Sequence, residues 1–314
     1  LLVGRVVQAT GAGIIMPLLQ TILFLLFPVH KRGTAMGLFG LIIGFAPAIG
    51  PTLSGWFVEH FPWRGLFYLI WPVAVLDLLA AYVVLKNVTE QTNPKADMAS
   101  ITLSTVGFGG LLYGVSVAGS AGWLNAHVLA SVLVGCLALL WFVFRQLKLE
   151  QPILDFRVFA YPVFALTTVL GVLVFMGMIG SVTVLPLLTQ NILGYSPLAS
   201  GLMMLPGAVV MGVMNPIAGW MFDKFGAKWL TIVGLAIVTV TTFFFSRLTA
   251  QVSLAYLATV NALRMLGIAL VLMPSTTAGL NQLPKRLIPH GTAMNNSMRQ
   301  VAGAIGTALL VTLM

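Results

Sequence analysis

The sequence contains very little charge. Only 7% of its 314 residues are Asp, Glu, Lys or Arg, whereas 59% are hydrophobic and the mean hydropathy is +1.02. A soluble domain carries about 25% charged residues, because its surface faces water. Apolar stretches such as 66–85, 128–144 and 229–245 have the roughly 17–20 residues that a helix needs to cross a bilayer. The composition therefore excludes a soluble domain and predicts an all-α polytopic membrane protein.

Cysteine and the usual signatures of enzymes are also scarce. The single cysteine, Cys136, excludes an intrachain disulfide and a cysteine-based metal cluster. The four histidines lack metal-ligand spacing, and we find no paired carboxylates or nucleophile–base set. A Gly-Lys-Ser/Thr phosphate loop is missing too, so ATP-driven transport has no support. We therefore expect neither an enzyme nor a protein that binds a metal or a cofactor.

The apolar blocks define about ten membrane spans. Alternate loops then lie on opposite sides, with eleven basic residues on one side and only Arg64 and Arg247 on the other. The positive-inside rule makes the basic side cytoplasmic. The net charge of +9 thus indicates orientation and contact with lipid head groups rather than nucleic acid binding. The predicted spans are about 1–28, 35–57, 65–85, 100–119, 126–145, 162–189, 199–221, 228–246, 253–277 and 292–314.

Two distant segments share the letters Gly-Thr-Ala-Met, at 33–36 and 291–294. Each is preceded in the same order by an intramembrane Arg, a Met-Pro pair and a basic loop, with offsets of 254 to 259 residues. This ordered agreement predicts two halves that arose by duplication and run in the same direction, as in many transporters. The chain begins and ends inside apolar runs, so we expect a piece of a longer membrane protein.

Three motifs resemble those of the major facilitator superfamily. The segment "GFAPAIGPTLSGW" (44–56) resembles its antiporter signature, with matches at Gly50, Pro51 and Gly55, although Ser54 replaces a glycine. The segment "RVVQATGAG" (5–13) is similar to the fourth-helix pattern. The segment "GWMFDKFGAK" (219–228) resembles the loop motif of the second half. Its matching residues are Gly219, Asp223, Lys224, Gly226 and Lys228.

Further segments resemble the fourteen-helix drug:proton antiporters of that superfamily, namely 193–207, 290–309 and the extra pair of spans at 100–119 and 126–145. The resemblance runs from the fourth helix to the thirteenth. It implies that 1–85 ends the N-terminal half and that 86–161 is a linker with two extra spans. Residues 162–314 then form the C-terminal half without its last helix.

The candidates for proton coupling are Arg5, Gln8 and Asp77. Arg5 lies in the fourth-helix motif, and its guanidinium stays protonated, so it would act on a nearby carboxylate; snorkelling to the interface is the alternative. Asp77 is the only acid inside a predicted span, where it would bind and release a proton. A static ion pair is the alternative for Asp77.

Two other groups are candidates for gating and for substrate binding. In the 219–228 motif, the carboxylate can bond helix N-terminal amides and form a contact that breaks during alternating access. In the antiporter segment, Gly50, Pro51 and Gly55 allow close helix approach, and the family resemblance implies a seal against leak. A polar set in the last span would line a cavity or bond between helices. That set is Asn295, Asn296, Arg299 and Gln300.

The sequence thus predicts a secondary active transporter in the cell membrane, by resemblance a bacterial inner membrane. It would export amphipathic or cationic drugs from the cytoplasm in exchange for protons. Its partners would be a lipophilic or cationic small molecule, protons and the lipid bilayer; other envelope components are left open. The alternatives are an exporter of a siderophore or metabolite on the same scaffold, and an inactive truncated product.

Overall fold

The computed structural model describes residues 2–62, 64–84, 97–248 and 252–313. Within these ranges, the side chains of residues 2, 45–49, 51, 84, 120, 121, 311 and 313 are not described. The described residues form ten α-helices. These are α1 (Leu2–Leu26), α2 (Arg32–His60), α3 (Gly65–Val84), α4 (Met98–Ala121), α5 (Ala126–Lys148), α6 (Pro162–Leu187), α7 (Pro197–Phe225), α8 (Ala227–Ser246), α9 (Leu254–Asn281) and α10 (Ile288–Leu313).

Eight of these helices are identified as long and apolar enough to cross a membrane. The other two, α2 and α10, have 29 and 26 residues and so have the length that a span requires. Together with the all-helical architecture of the described residues, the eight spans confirm the predicted polytopic membrane protein.

Local sequence signals set where the helices begin and end. Pro162 and Pro197 occupy the first turns of α6 and α7, where a missing N–H costs nothing. Ser196 caps α7 by accepting a hydrogen bond from the backbone N–H of Ala199. Gly226 has a φ of +76° and separates α7 from α8, so that one residue suffices to turn the chain.

The bundle is centred on α2, α7 and α9. The longest interface joins α2 to α7, which run antiparallel; α9 packs against α7, α8 and α6, and α10 packs against α6 and α4. The helix α9 is the most buried of the spans, and α1 and α3 are the most exposed. We call the end of the bundle where α2 begins and α7 ends the basic end, because it carries the basic loops. The other is the opposite end.

The helices α4 and α5 form a tightly packed hairpin. A Cβ on Gly135 would lie 2.5 Å from the amide of Leu111, so the glycine permits the close approach. Arg145 donates two hydrogen bonds of 3.0 Å to the carboxylate of Asp97, which also accepts one from Ser100. These contacts, led by Arg145, hold the pKa of Asp97 well below its usual range. The segment 85–96, which leads into this hairpin, is outside the described residues.

Candidate functional site

Small residues bring α2 and α7 into close contact near the basic end. A Cβ on Gly37 would lie 2.6 Å from the carbonyl oxygen of Asn215, and one on Gly219 would meet the backbone of Gly33. Such spacing is typical of membrane helices that pack through glycine. The interface is thus a backbone-to-backbone contact, and any side chain larger than hydrogen would push the helices apart.

Asp223 joins the end of α7 to the start of α2. Its carboxylate accepts hydrogen bonds from the amides of Gly33 and Thr34, each 2.8 Å long, and one of 2.7 Å from the hydroxyl of Thr34. The residue before α2 is Lys31, which makes no side-chain cap. Asp223 therefore supplies from α7 the cap that α2 lacks, at the positive end of the helix dipole.

Three further polar contacts cross the bundle at the basic end. Arg32 at the start of α2 donates a 2.9 Å bond to the side chain of Asn281 at the end of α9. Between α1 and α10, Asn296 donates a 2.8 Å bond to Gln20. The hydroxyls of Thr21 and Thr292 are 2.9 Å apart. Together these contacts close the basic end between α1 and α2 on one side and α9 and α10 on the other.

The opposite end has its own contact between α2 and α7. Glu59, in the last turn of α2, accepts a 3.2 Å hydrogen bond from the amide of Leu198 in the first turn of α7. Thr52 donates a 2.9 Å bond to the carbonyl of Gly201. A Cβ on Gly55 would lie 2.9 Å from the carbonyl oxygen of Pro197, so this motif glycine allows the approach.

A narrow cavity of about 30 Å³ lies between these two ends and has room for one or two water molecules. Its walls come from α2, α6, α7 and α9 and are almost entirely apolar. Asn261 is the polar exception; it is 1% exposed, and its Oδ1 has no partner among the described residues. The lining residues are Ile43, Gly44, Met178, Val182, Met204, Ala208, Met211, Asn261 and Met265.

The polar set predicted in α10 lies outside this cavity lining. Asn295 accepts a 3.1 Å bond from Thr168 of α6, and Arg299 donates to the hydroxyl of Thr276 of α9. Asn296 makes the contact with α1 described above, and Gln300 is exposed in a groove between α4, α6 and α10. Three of the four residues thus bond between helices, which was one of the two predicted roles.

Two buried arginines lie inside the C-terminal part of the bundle. Arg299 and Arg264 are each 8% exposed, and glycines of α6 make room for both guanidiniums. Arg264 donates a 3.0 Å bond to the carbonyl of Gly177 and lies over the ring of Phe245. In both arginines the Nε atom has no hydrogen-bond partner within the described ranges.

The candidates for proton coupling lie on the outside of the described bundle. Arg5 donates a 3.2 Å bond to Gln8, one turn along α1, and its guanidinium lies over the ring of Phe67. Both Arg5 and Gln8 are exposed, and so is Asp77 on α3. The structure does not bring Arg5 and Asp77 to the contacts between α2 and α7.

The remaining motif residues have separate surroundings. Lys224 lies over the rings of Trp220 and Phe225, and Lys228 over that of Trp229, so both cations stack on aromatic rings near Asp223. A Cβ added at Gly50 would meet no described atom within 4 Å, and the side chain of Pro51 is not described.

Several interface residues escaped the sequence predictions. Gln20, Asn215 and Asn261 are amides inside apolar spans, and that isolation is the signal that would have found them. Asn215 donates a 2.6 Å bond to the carbonyl of Gly40, across the α2–α7 interface. Glu59 gave no such signal, because it lies at a helix end where acids are common.

Comparison with known proteins identifies relatives over the whole chain. A family model described as Major Facilitator Superfamily matches residues 1–307. Over its full length the chain is 56% identical to the uncharacterized MFS-type transporter YcnB of Bacillus subtilis, covering 66% of that protein. It is 44% identical to the lincomycin resistance protein LmrB of Listeria monocytogenes, covering 67% of it. Across 98% of the chain it is 28% identical to the multidrug export protein EmrB of Haemophilus influenzae, covering 61% of it. The chain therefore spans about two thirds of the length of these relatives.

Proposed function

The chain belongs to the Major Facilitator Superfamily and is part of a membrane transporter rather than an enzyme, and from this premise we propose that the protein exports amphipathic drugs from the cytoplasm in exchange for protons. The substrate would include lipophilic cations, as the sequence predicts. Relatives named for lincomycin resistance and multidrug export support the drug class.

The observation that carries this proposal is the narrow cavity between α2, α6, α7 and α9. At about 30 Å³ it is far smaller than the roughly 300–1,000 Å³ of a site for a drug-sized ligand. A drug-sized compound fits this site only if the helices that line the cavity move apart. A central site that opens by movement of one helix group against another is the arrangement required for alternating access.

The composition of the cavity suits varied apolar compounds. Four of its nine lining residues are methionines, whose unbranched side chains adapt to different ligand shapes. The Oδ1 of Asn261, which has no partner among the described residues, is a hydrogen-bond acceptor in this apolar wall. A compound with an apolar body and one donor, such as a hydroxyl or a protonated amine, would satisfy it.

In this proposal the two halves are 1–85 and 162–314, and 86–161 is the linker that carries α4 and α5. Asp223 closes the basic end, with Lys224 and Lys228 beside it. Gly50, Pro51 and Gly55 form the antiporter segment of α2, in which Gly55 packs against the start of α7. Proton coupling would use Arg5, Gln8 and Asp77, acting with segments of the protein outside these 314 residues.

The test is drug accumulation in a drug-sensitive bacterial host that expresses the full-length protein. We expect lower accumulation of ethidium and higher resistance to lincomycin than in cells with the empty vector. A protonophore should abolish the difference. Export that persists with the proton gradient collapsed would reject proton coupling, and no export of any amphipathic compound in a broad panel would reject the drug class.

Substitutions at two methionines distinguish an effect on the cavity from an effect on helix packing in general. Met211→Ala enlarges the cavity and should change the relative resistance to small and large drugs, whereas Met211→Leu keeps the volume and should change it less. Met16→Ala, on the exposed face of α1, is the matched control. An equal effect of Met211→Ala and Met16→Ala would argue against this cavity as the substrate site.

A further inference from the structure

The antiparallel helices α2 and α7 are joined at both ends by the same type of contact. At each end, an acid in the last turn of one helix accepts a hydrogen bond from at least one first-turn amide of the other. We propose that Glu59 is the counterpart of Asp223, a positioning residue that holds the opposite end of the transport pathway closed. The inference rests on the proposed alternating access, but not on the identity of the drug or on protons.

The start of α7 leaves one amide for Glu59. The first residue of this helix, Pro197, has no N–H to donate. The amide of Ala199 donates to Ser196, the residue before the helix. The amide of Leu198 lies between them without an acceptor inside its own helix. The hydrogen bond to Glu59 is therefore the contact that completes the capping of α7.

The surroundings of Glu59 favour this contact. The N-terminus of α7 carries partial positive charge, which attracts a carboxylate. One turn before Glu59 on α2, the missing side chain of Gly55 lets the backbones of the two helices approach. Two turns before it, Thr52 bonds to the carbonyl of Gly201. Gly55 of the antiporter segment and Glu59 thus both contact the first turn of α7.

At the basic end the two helices have the opposite roles: α7 supplies the acid and α2 supplies the amides. The start of α2 lacks a cap of its own, and Asp223 of α7 provides one through three hydrogen bonds. The cavity residues Ile43 and Gly44 on α2 lie between the two contacts along the helix. Each acid therefore holds α2 against α7 on one side of the same cavity. Separation of the helices at one end leaves charged and amide groups unpaired there, which opposes opening.

The two contacts are unequal, and this predicts which exit opens more readily. Asp223 accepts three bonds of 2.7–2.8 Å, whereas Glu59 accepts one of 3.2 Å. Both acceptors are carboxylates, whose hydrogen bonds belong to the strong class, so the three shorter bonds hold the basic end more firmly. With both acids intact, we expect the opposite end to open more often than the basic end.

Hydrogen–deuterium exchange of the full-length protein in nanodiscs tests the proposal, because the contacts are made by backbone amides. The Glu59→Ala variant should exchange about tenfold faster at residues 198–201, the change that corresponds to loss of one charge-assisted bond. If one end opens at the expense of the other, exchange at residues 33–36 should become slower. Asp223→Ala should give the reverse pattern, faster at 33–36 and slower at 198–201.

The matched control is Glu150→Ala, which removes an exposed carboxylate from the loop after α5. It should change neither peptide. Faster exchange at both ends in Glu59→Ala would mean that Glu59 only stabilises the fold and would overturn the proposal. Unchanged exchange at 198–201 would overturn it as well. The assay needs neither drug nor pH gradient, so its result is independent of whether proton-driven export is found.

Discussion

A single methyl group at position 37 is expected to separate α2 from α7. In Gly37→Ala, the new Cβ would lie 2.6 Å from the carbonyl oxygen of Asn215 and 2.9 Å from the Cα of Pro216. Both obstacles are backbone atoms, so no side chain can rotate away. To reach an ordinary contact of 3.4 Å, the helices must move apart by about 0.8 Å.

The change in the free energy of unfolding follows from two opposing contributions. Overpacking of this kind typically costs about 1–3 kcal/mol, and we take the upper value because backbone must move. Alanine favours a helix over glycine by about 1 kcal/mol. The net loss of about 2 kcal/mol corresponds to a roughly 30-fold fall in the ratio of folded to unfolded protein.

Thermal unfolding in detergent and hydrogen exchange at residues 33–36 measure this effect. We expect a lower midpoint of unfolding and faster exchange in Gly37→Ala. The matched control is Gly109→Ala on α4, where a Cβ meets nothing within 4 Å, and its midpoint should stay the same or rise. Equal shifts in the two variants would refute the close α2–α7 interface.

Two other predictions concern contacts elsewhere in the bundle. Because Arg145 keeps the pKa of Asp97 low, this carboxylate stabilises the α4–α5 hairpin at neutral pH, and the stabilisation is lost as the pH falls below about 4. Asp97→Asn should lower the midpoint of unfolding at pH 7 and flatten its acid-side decline; an unchanged pH profile would contradict the pairing. Between α1 and α10, Asn296→Leu should cost about 0.6–1.7 kcal/mol, and Gln20→Leu in the same protein should restore part of it. Strictly additive losses would show that the two amides do not interact.

The sequence was sufficient to predict the helices, because a membrane helix is indicated by the residues within its own segment. The low charge and the long apolar runs predicted ten helices, whose bounds in the structure differ from the predictions by a few residues. The repeated Gly-Thr-Ala-Met also has a local meaning that the structure explains. In the first copy, Gly33 and Thr34 lie in the first turn of α2 and bond to Asp223, and in the second, Thr292 lies in the second turn of α10 and contacts Thr21 of α1.

The candidate site was harder to predict because its geometry depends on which helices are neighbours. The 219–228 motif indicated a carboxylate that caps a helix, but it did not say that the helix is α2. Asn295 and Arg299 were expected to line a cavity or to bond between helices, and helix periodicity alone cannot distinguish these. The cavity is lined by α2, α6, α7 and α9 because these four meet at the centre of the bundle.

Ethidium transport by the full-length protein in proteoliposomes tests the central claim most directly. With an imposed pH gradient and equal ethidium on both sides, we predict that the dye moves against its own gradient, opposite to the flow of protons. A protonophore should stop this movement, and Asp223→Ala should slow it. No net movement of the dye, or movement that does not depend on the pH gradient, would contradict a proton-driven exporter.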